Sequence, residues 1–299
     1  MTLNDFLKEA REKKQAIGHF NFATEDVLKA IVSAAKESGA PCVIVGTSEG
    51  EAEFVGMKEA VALVRAVADD FQYPVFLNAD HFKSFEKCKV AIDAGYDSII
   101  IDTSRLSLEE NRAAAKQVVE YARSINPNIS VEGELGYLKG SSEVQQKIEI
   151  STDDYSKPEE VADFIAQTGV DRMAVVFGNI HGIVKEVVSA PTTESVGVPT
   201  EASGEEKLDI DHFSKIVAAA PNAYYVLHGA SGLKDEDVRA AIQAGITNVH
   251  FNTELRVAYH DTLEKTMHDN PTETTPYKYL GPAAEEVKNL VLQKLALFK

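Results

Sequence analysis

Long apolar runs are missing from this 299-residue chain: nowhere do about 18 apolar residues follow one another, so no segment reads as a membrane-crossing helix. Nor does the stretch Met1 to Lys14 hold the continuous apolar core of a signal peptide; it reads instead as a capped amphipathic helix. Cysteine is scarce. Cys42 and Cys88 are the only two, and neither belongs to a Cys-x-x-Cys or Cys/His finger pattern. That excludes a disulfide framework and points to a reducing compartment, the cytoplasm, with both thiols as plain core residues. Positive charge is also short. Thirty Lys and Arg against 47 Asp and Glu leave a formal charge of −17, a surface that repels nucleic acid and anionic lipid. An anionic ligand would therefore need positive charge gathered locally, by a metal, backbone N–H groups or a few lysines. What is present fits a soluble globular protein with a core large enough to need no staples: 44% hydrophobic residues, 26% charged, mean hydropathy −0.17.

Short apolar runs recur, each ending in small or polar residues: Ala16–Asn21, Cys42–Ser48, Val75–His81, Ser98–Thr103, Ile129–Glu134, Met173–Gly178, Tyr224–Gly229 and Val249–Thr253. Runs of this length, apolar on both faces, predict buried parallel strands. Between them, segments 25–37, 57–71, 85–94, 107–125, 158–168, 210–220 and 236–244 carry apolar residues at helical spacing. Four of these stop at a glycine just before the next strand, at Gly39, Gly95, Gly169 and Gly245. Eight β/α alternations without a shift in composition predict a single-domain (β/α)8 barrel over residues 1–299. A doubly wound open sheet is the alternative, and the absence of a G-x-G-x-x-G after the first strand weakens it. Two connections, residues 137–157 and 182–208, are longer than a barrel needs and read as mobile loops. Beyond about residue 257 further helices follow, ending with 282–298, for packing on the barrel or on a partner subunit.

In such a barrel, chemistry sits at the C-terminal ends of the strands. Polar residues cluster there: Asp80-His81, Asp102, Glu132 and Glu134, Gly178-Asn179-Ile180-His181-Gly182, His228-Gly229-Ala230-Ser231-Gly232, and His250, Asn252 and Thr253. One histidine at a strand end is more often a capping or core residue than a ligand. Three of them at three strand ends, two followed at once by glycine, read as a catalytic zinc set of three imidazoles with an open position, formed by His81, His181 and His228. His19 lies before its strand's end and reads as buried and structural; His212, His260 and His268 fall in helical segments. His250 is ambiguous, at the right height but alternating with Phe251. The small residues Gly229 to Gly232 let backbone N–H groups approach an anion, and barrels often bind phosphate after strands seven and eight. With Asn252 and Thr253, and with Gly182 and Lys185 beyond the sixth strand, they read as a phosphate cradle whose neighbour is the metal.

The ordered set Gly18-His19-Phe20-Asn21, Asp80-His81, Glu132-Gly133-Glu134-Leu135-Gly136, Gly178-Asn179-Ile180-His181-Gly182, His228-Gly229-Ala230-Ser231-Gly232, Asn252-Thr253-Glu254-Leu255 and Lys278-Tyr279-Leu280-Gly281-Pro282 spans essentially the whole chain. It resembles the class II, zinc-dependent ketose-bisphosphate aldolases, which act on fructose or tagatose 1,6-bisphosphate. The resemblance implies that His81, His181 and His228 bind the catalytic zinc. It implies that Asp102 and Glu134 serve a second or alternative metal position, with a second divalent ion and an assisting monovalent cation as further candidates. It makes Asp80 the group that moves the C4 hydroxyl proton and Glu143 the acid/base at the dihydroxyacetone carbon. Gly182, Gly229, Ala230, Ser231, His250, Phe251, Asn252 and Thr253 fall in the dihydroxyacetone-phosphate site, and Ser48 lies near the other half of the substrate. The implied partners are sugar phosphates, and the implied assembly is a homodimer or homotetramer.

Three positions depart from the family's usual pattern. His250 stands where asparagine is usual, Phe82 where glycine is common, and Thr275-Pro276-Tyr277 where Asp-Pro-Arg is common. The missing arginine bears on how a C6 phosphate is held, and so leaves a ketose 1-phosphate with another C6 group as an alternative substrate. A metal-dependent barrel hydrolase is a competing enzyme reading, but Gly18-His19-Phe20 lacks the His-x-His such proteins place on the first strand. A non-catalytic metabolite-binding barrel would predict an incomplete constellation.

Overall fold

The computed structural model describes residues 1–136, 138–189 and 207–298, with side chains left out at 140–142, 146–150 and 184–189. Ten strands follow in chain order: β1 (Ile17–Asn21), β2 (Val43–Ser48), β3 (Val75–Phe82), β4 (Ser98–Ile101), β5 (Ser130–Leu135), β6 (Gly140–Ile150), β7 (Arg172–Val175), β8 (His181–Ser189), β9 (Tyr224–Leu227) and β10 (Ile246–Phe251). Eight of them close into a parallel barrel in the order β1-β10-β9-β7-β5-β4-β3-β2. All eight coincide with the apolar runs of the sequence. Barrel strands are buried from end to end because side chains fill the interior and helices cover the outside; β1 and β5 are buried at every position.

The remaining two strands replace the expected loops over Gly140–Ile150 and His181–Ser189; residues 190–206 of the second loop lie outside the described residues. β6 and β8 pair in parallel as a separate two-stranded ribbon, with Gly140 opposite His181 and Ile150 opposite Ser189. Backbone pairing holds this ribbon together, so its sequence needs no continuous apolar run. A short helix, Glu49–Val55, also follows β2, in a stretch to which the sequence patterns assign no element; Ser48 and Glu51 cap it reciprocally.

The surrounding helices begin and end where the sequence places them, to within a residue or so. Gly39, Gly95 and Gly169 take up the left-handed conformation that ends three of them. The N-terminal helix, Leu3–Lys13, is closed by a capping box between Thr2 and Asp5. Its buried Leu3, Phe6, Leu7 and Ala10 pack on Ile17, Cys42 and Ile44, forming a small cluster of its own at the strand starts. Cys88, on helix Phe85–Ala94, belongs to the main core. The last long helices, Thr253–Asp269 and Pro276–Leu295, pack against each other, and the latter also packs on Glu25–Ser38. Among the described residues no helix is long and apolar enough to cross a membrane.

Candidate active site

The C-terminal ends of the barrel strands surround a narrow, open-mouthed cleft lined by Asn21, Asp80, His81, His181, Gly182, His228, Gly229, Ser231, His250, Asn252 and Thr253. At the end of β3 the backbone turns sharply: His81 has φ +53°, a left-handed conformation costing a non-glycine residue about 1–3 kcal/mol, and such strain collects at functional sites. The turn sends the His81 ring into the mouth while Phe82 stays in the core.

Each of two histidines is anchored through one nitrogen, which frees the other. His81 Nδ1 lies 3.1 Å from Asp102 Oδ2 and 3.3 Å from Glu134 Oε2. Ser104 donates to the other oxygen of Asp102 from both its hydroxyl and its backbone N–H. Burial raises the Asp102 pKa, but His81 and Ser104 outweigh it and leave the group well below the carboxylate range. Asp102 is therefore an acceptor, so His81 carries a proton on Nδ1. His228 Nε2 lies 2.7 Å from Glu132 Oε1, and the second Glu132 oxygen is 2.7 Å from the Arg172 guanidinium. His228 thus carries its proton on Nε2. What remains is His81 Nε2 facing His228 Nδ1 at 2.9 Å. Two neutral lone pairs cannot stay that close; a proton or a metal ion must lie between them.

His181 stands with its ring 4.8 Å from that of His81 and 6.1 Å from that of His228. One ligand atom from each of Asp80, His81 and His228 lies within 4.8 Å of the others, and the same holds for His81, Glu134 and His181. The structure thus brings the three histidines together with His81 as the common member. Burial, then the neighbouring His81, holds the His181 pKa well below its usual value. His81 behaves oppositely: burial lowers its pKa, but Asp80, Asp102 and Glu134 raise it well above normal. Burial, then Asp102, raises Glu134. A cluster of mostly neutral imidazole nitrogens flanked by carboxylates is a donor set that suits zinc.

Asp80 is buried and accepts from Asn21 Nδ2 at 2.9 Å, while the same amide donates to Glu51 at 2.8 Å. Burial alone would raise the Asp80 pKa, but the neighbouring imidazoles, His81 first, and the Asn21 amide bring it down to about 2. Its Oδ1 faces His250 Nδ1 at 3.5 Å without a hydrogen bond, and Asn252 Oδ1 has no hydrogen-bond partner. Glycine is required at 229, where φ is +74° and a side chain would strike the Ile180 carbonyl. There the chain enters the turn Ala230–Gly232, and helix Thr253–Asp269 starts beside it: the Asn252 side chain makes no capping hydrogen bond, and the Glu254 N–H donates to Ser231 Oγ at 3.5 Å.

Other candidate residues are placed differently. Phe251 points away from the cavity, its ring stacked on Phe20 in the core, because side chains alternate along β10 and His250 takes the inward position. Ala230 is fully buried and offers only backbone to the mouth. Ser48, at the end of β2, caps the following helix. Glu143 is exposed on β6 and does not line the cavity. The side chain of Lys185 lies outside the described residues. His19 is fully buried as expected, and His260 and His268 are exposed, while His212 packs against the Ser156 carbonyl. Sequence reasoning missed Arg172, Asn78 and Asn248, polar residues lodged inside the barrel.

Comparison with known proteins agrees with this geometry. The family model described as "Fructose-bisphosphate aldolase class-II" matches residues 1–299. The fructose-bisphosphate aldolase of Staphylococcus aureus is 34% identical, covering all of this chain and 96% of its own length. That of Geobacillus stearothermophilus is 33% identical over the same share. The YdjI aldolase of Escherichia coli K12 superposes with TM-score 0.79 at 26% identity, covering 99% of this chain and 96% of its own. A fructose-bisphosphate aldolase from Campylobacter jejuni, 20% identical with TM-score 0.77, shares the fold over 99% of this chain and 93% of its own. A mouth of converging histidines and carboxylates, on a barrel matched from end to end, places the chain in the class II fructose-bisphosphate aldolase family, as an aldolase acting on sugar phosphates.

Proposed function

We propose that this chain is a zinc-dependent aldolase that reversibly cleaves fructose 1,6-bisphosphate to dihydroxyacetone phosphate and glyceraldehyde 3-phosphate. The observation that carries the reading is the pair of facing lone pairs on His81 Nε2 and His228 Nδ1, 2.9 Å apart, with the far nitrogen of each ring tied to a carboxylate. His81, His228 and His181 would hold the ion, and Asp102 and Glu134 would orient His81 or offer an alternative position. Zinc bound there supplies a Lewis acid for the C2 carbonyl and for the charge that develops as C3–C4 breaks.

The remaining work falls to the chain's own groups. Asp80, held ionised and aimed by Asn21, takes the proton of the C4 hydroxyl in cleavage and returns it in condensation. Glu143, on the strand paired with that of His181, is assigned the proton exchange at the dihydroxyacetone carbon. The C1 phosphate is held by backbone N–H groups of the Gly229–Ser231 turn, by Gly182 and by the start of helix Thr253–Asp269, where the helix dipole favours an anion. Ser48 borders the aldehyde half, the assembly is a homodimer or homotetramer, and the location is the cytoplasm.

A second substrate reading has one observation in its favour. Tyr277, 76% exposed at the start of helix Pro276–Leu295, stands where the family commonly has arginine, and offers no guanidinium to a second phosphate. A ketose 1-phosphate lacking the C6 phosphate is then the substrate. Assays coupled to dihydroxyacetone phosphate release, run on fructose 1,6-bisphosphate, tagatose 1,6-bisphosphate and fructose 1-phosphate, decide among the three. Stripping with a strong chelator should abolish cleavage and zinc should restore it; full turnover in the chelator would sink the proposal.

A further inference from the structure

Below the mouth, the barrel encloses a guanidinium. Arg172, at the first residue of β7, is wholly buried. It donates from Nε to Ser130 Oγ (3.2 Å) and from its terminal nitrogens to Asn248 Oδ1 (3.1 Å) and Asn78 Oδ1 (3.1 Å), and it pairs with Glu132 Oε2 at 2.7 Å. Arginine only donates, so the orientation of both asparagine amides follows from it. Asn78 must turn its NH2 group toward His19 Nε2, 3.1 Å away, which makes that nitrogen an acceptor and leaves the His19 proton on Nδ1. Asn248 turns its oxygen toward His250 Nε2 at 3.0 Å and its NH2 group toward the Ile17 carbonyl, so the His250 proton sits on Nε2. Glu132 accepts from His228 Nε2. The His19 and His250 rings lie stacked, centroids 3.6 Å apart and 9° from parallel, over Gly46, where any side chain would fall on the His19 ring.

We propose that Arg172 is a positioning residue that sets the tautomers of three imidazoles at once: His19 through Asn78, His250 through Asn248, and His228 through Glu132. The same wiring keeps a cation out of the His19–Asp80–His250 cluster. Ligand atoms of these three buried residues lie within 4.8 Å of one another, and the residue types alone would suit a metal. Yet neither nitrogen of His19 has a lone pair to give: Nδ1 bears the proton and Nε2 is taken by the Asn78 amide. By contrast, His228 is left with its Nδ1 lone pair turned toward His81. One buried charge thus separates two look-alike clusters, closing one to metal and opening the other. Only the His228 branch rests on the aldolase reading.

The test reads protons on rings. In the full-length, zinc-loaded chain labelled with 15N-histidine, long-range 1H–15N correlations should show His19 protonated on Nδ1 and His228 and His250 on Nε2; His19 and His250 should keep these forms after chelation. Arg172→Lys retains the charge but not the planar fork that reaches several acceptors, and should mix the tautomers of His19 and His250. Asn248→Ala should disturb His250 alone, and Asn78→Ala His19 alone. A wild-type chain with the His19 proton on Nε2 or the His250 proton on Nδ1 overturns the proposal, even if no variant folds. So does a folded Arg172→Lys protein whose three rings keep single wild-type tautomers, because a purely structural arginine would lower the melting temperature and leave them unchanged. None of these readings requires turnover, so a failure to cleave a sugar phosphate is a separate outcome.

Discussion

The barrel interior is polar at two heights, and the two are completed differently. In the lower layer Arg172, Asn78, Ser98, Ser130 and Asn248 are all buried, and every side-chain polar atom of the five has a hydrogen-bond partner. Two residues farther along the same strands, on the same inward face, Asp80 Oδ1 and His250 Nδ1 are buried and face each other at 3.5 Å without a hydrogen bond; Asn252 Oδ1, also at the mouth, has no hydrogen-bond partner. An unmade hydrogen bond in a buried place costs about 1–3 kcal/mol, so the mouth carries a penalty the lower layer avoids. The difference separates groups that hold a shape from groups reserved for a ligand.

That contrast can be broken by exchanging the consequences of mutation. Asp80→Asn removes a mouth carboxylate and should lower kcat by about 10²–10⁴-fold with little loss in a thermal melt. Turnover within tenfold of wild type would place the proton transfer elsewhere. Arg172→Met should do the reverse in the first instance, costing about 3–5 kcal/mol in denaturant unfolding because Glu132 Oε2 loses its guanidinium and Ser130, Asn78 and Asn248 lose a donor in the interior. A cost under about 1 kcal/mol would mean that the lower layer is not the scaffold described here.

A smaller effect sharpens the mouth itself. The raised His81 pKa means that in the metal-free protein a proton occupies the place between His81 and His228. Its stabilisation is complete below the ordinary histidine value of about 6.5 and fades as pH rises through the raised value. A metal ion competes with that proton, so the gain in melting temperature on adding zinc should grow from about pH 6.5 upward. Calorimetric titration in buffers of different ionisation heat should register proton release; identical heats in all buffers would refute the exchange. Smallest of all, Ser98→Ala deletes one of the two donors to Asn78 Oδ1 and should cost about 1 kcal/mol without touching kcat.

How much of this was legible in the sequence depends on whether a residue's role follows from its own strand. The placement of His81 and His228 was, because a polar side chain closing a β-rich apolar run stands at the strand's end; His181 reads the same way but opens β8, six residues past the end of β7. His250 was not resolved, since its alternation with Phe251 admits either face until the barrel's inside is known. Arg172 stayed hidden because it follows Asp171 at the start of its run, where a charged residue ordinarily marks solvent. Its partners come from strands up to 94 positions away, so no local pattern reports them. The ribbon of β6 and β8 escaped because its apolar residues, Val144, Ile148 and Ile150 on β6 and Ile183, Val184, Val187 and Val188 on β8, are interrupted by polar ones and form no continuous apolar run like those of the barrel strands. The helix after β2 did carry a local sign, the Ser48-x-x-Glu51 box, but at seven residues it falls below the length at which helical spacing is convincing.

Cys42 and Cys88 lie in separate parts of the interior, the first beneath the N-terminal helix and the second in the main core, and burial raises the pKa of both thiols. Neither can meet an alkylating reagent until its own surroundings open. The chain therefore carries two built-in clocks: labelling at Cys42 times the lifting of the N-terminal helix, labelling at Cys88 times the loss of the barrel's outer packing, and the interval between them measures how independently the two come apart.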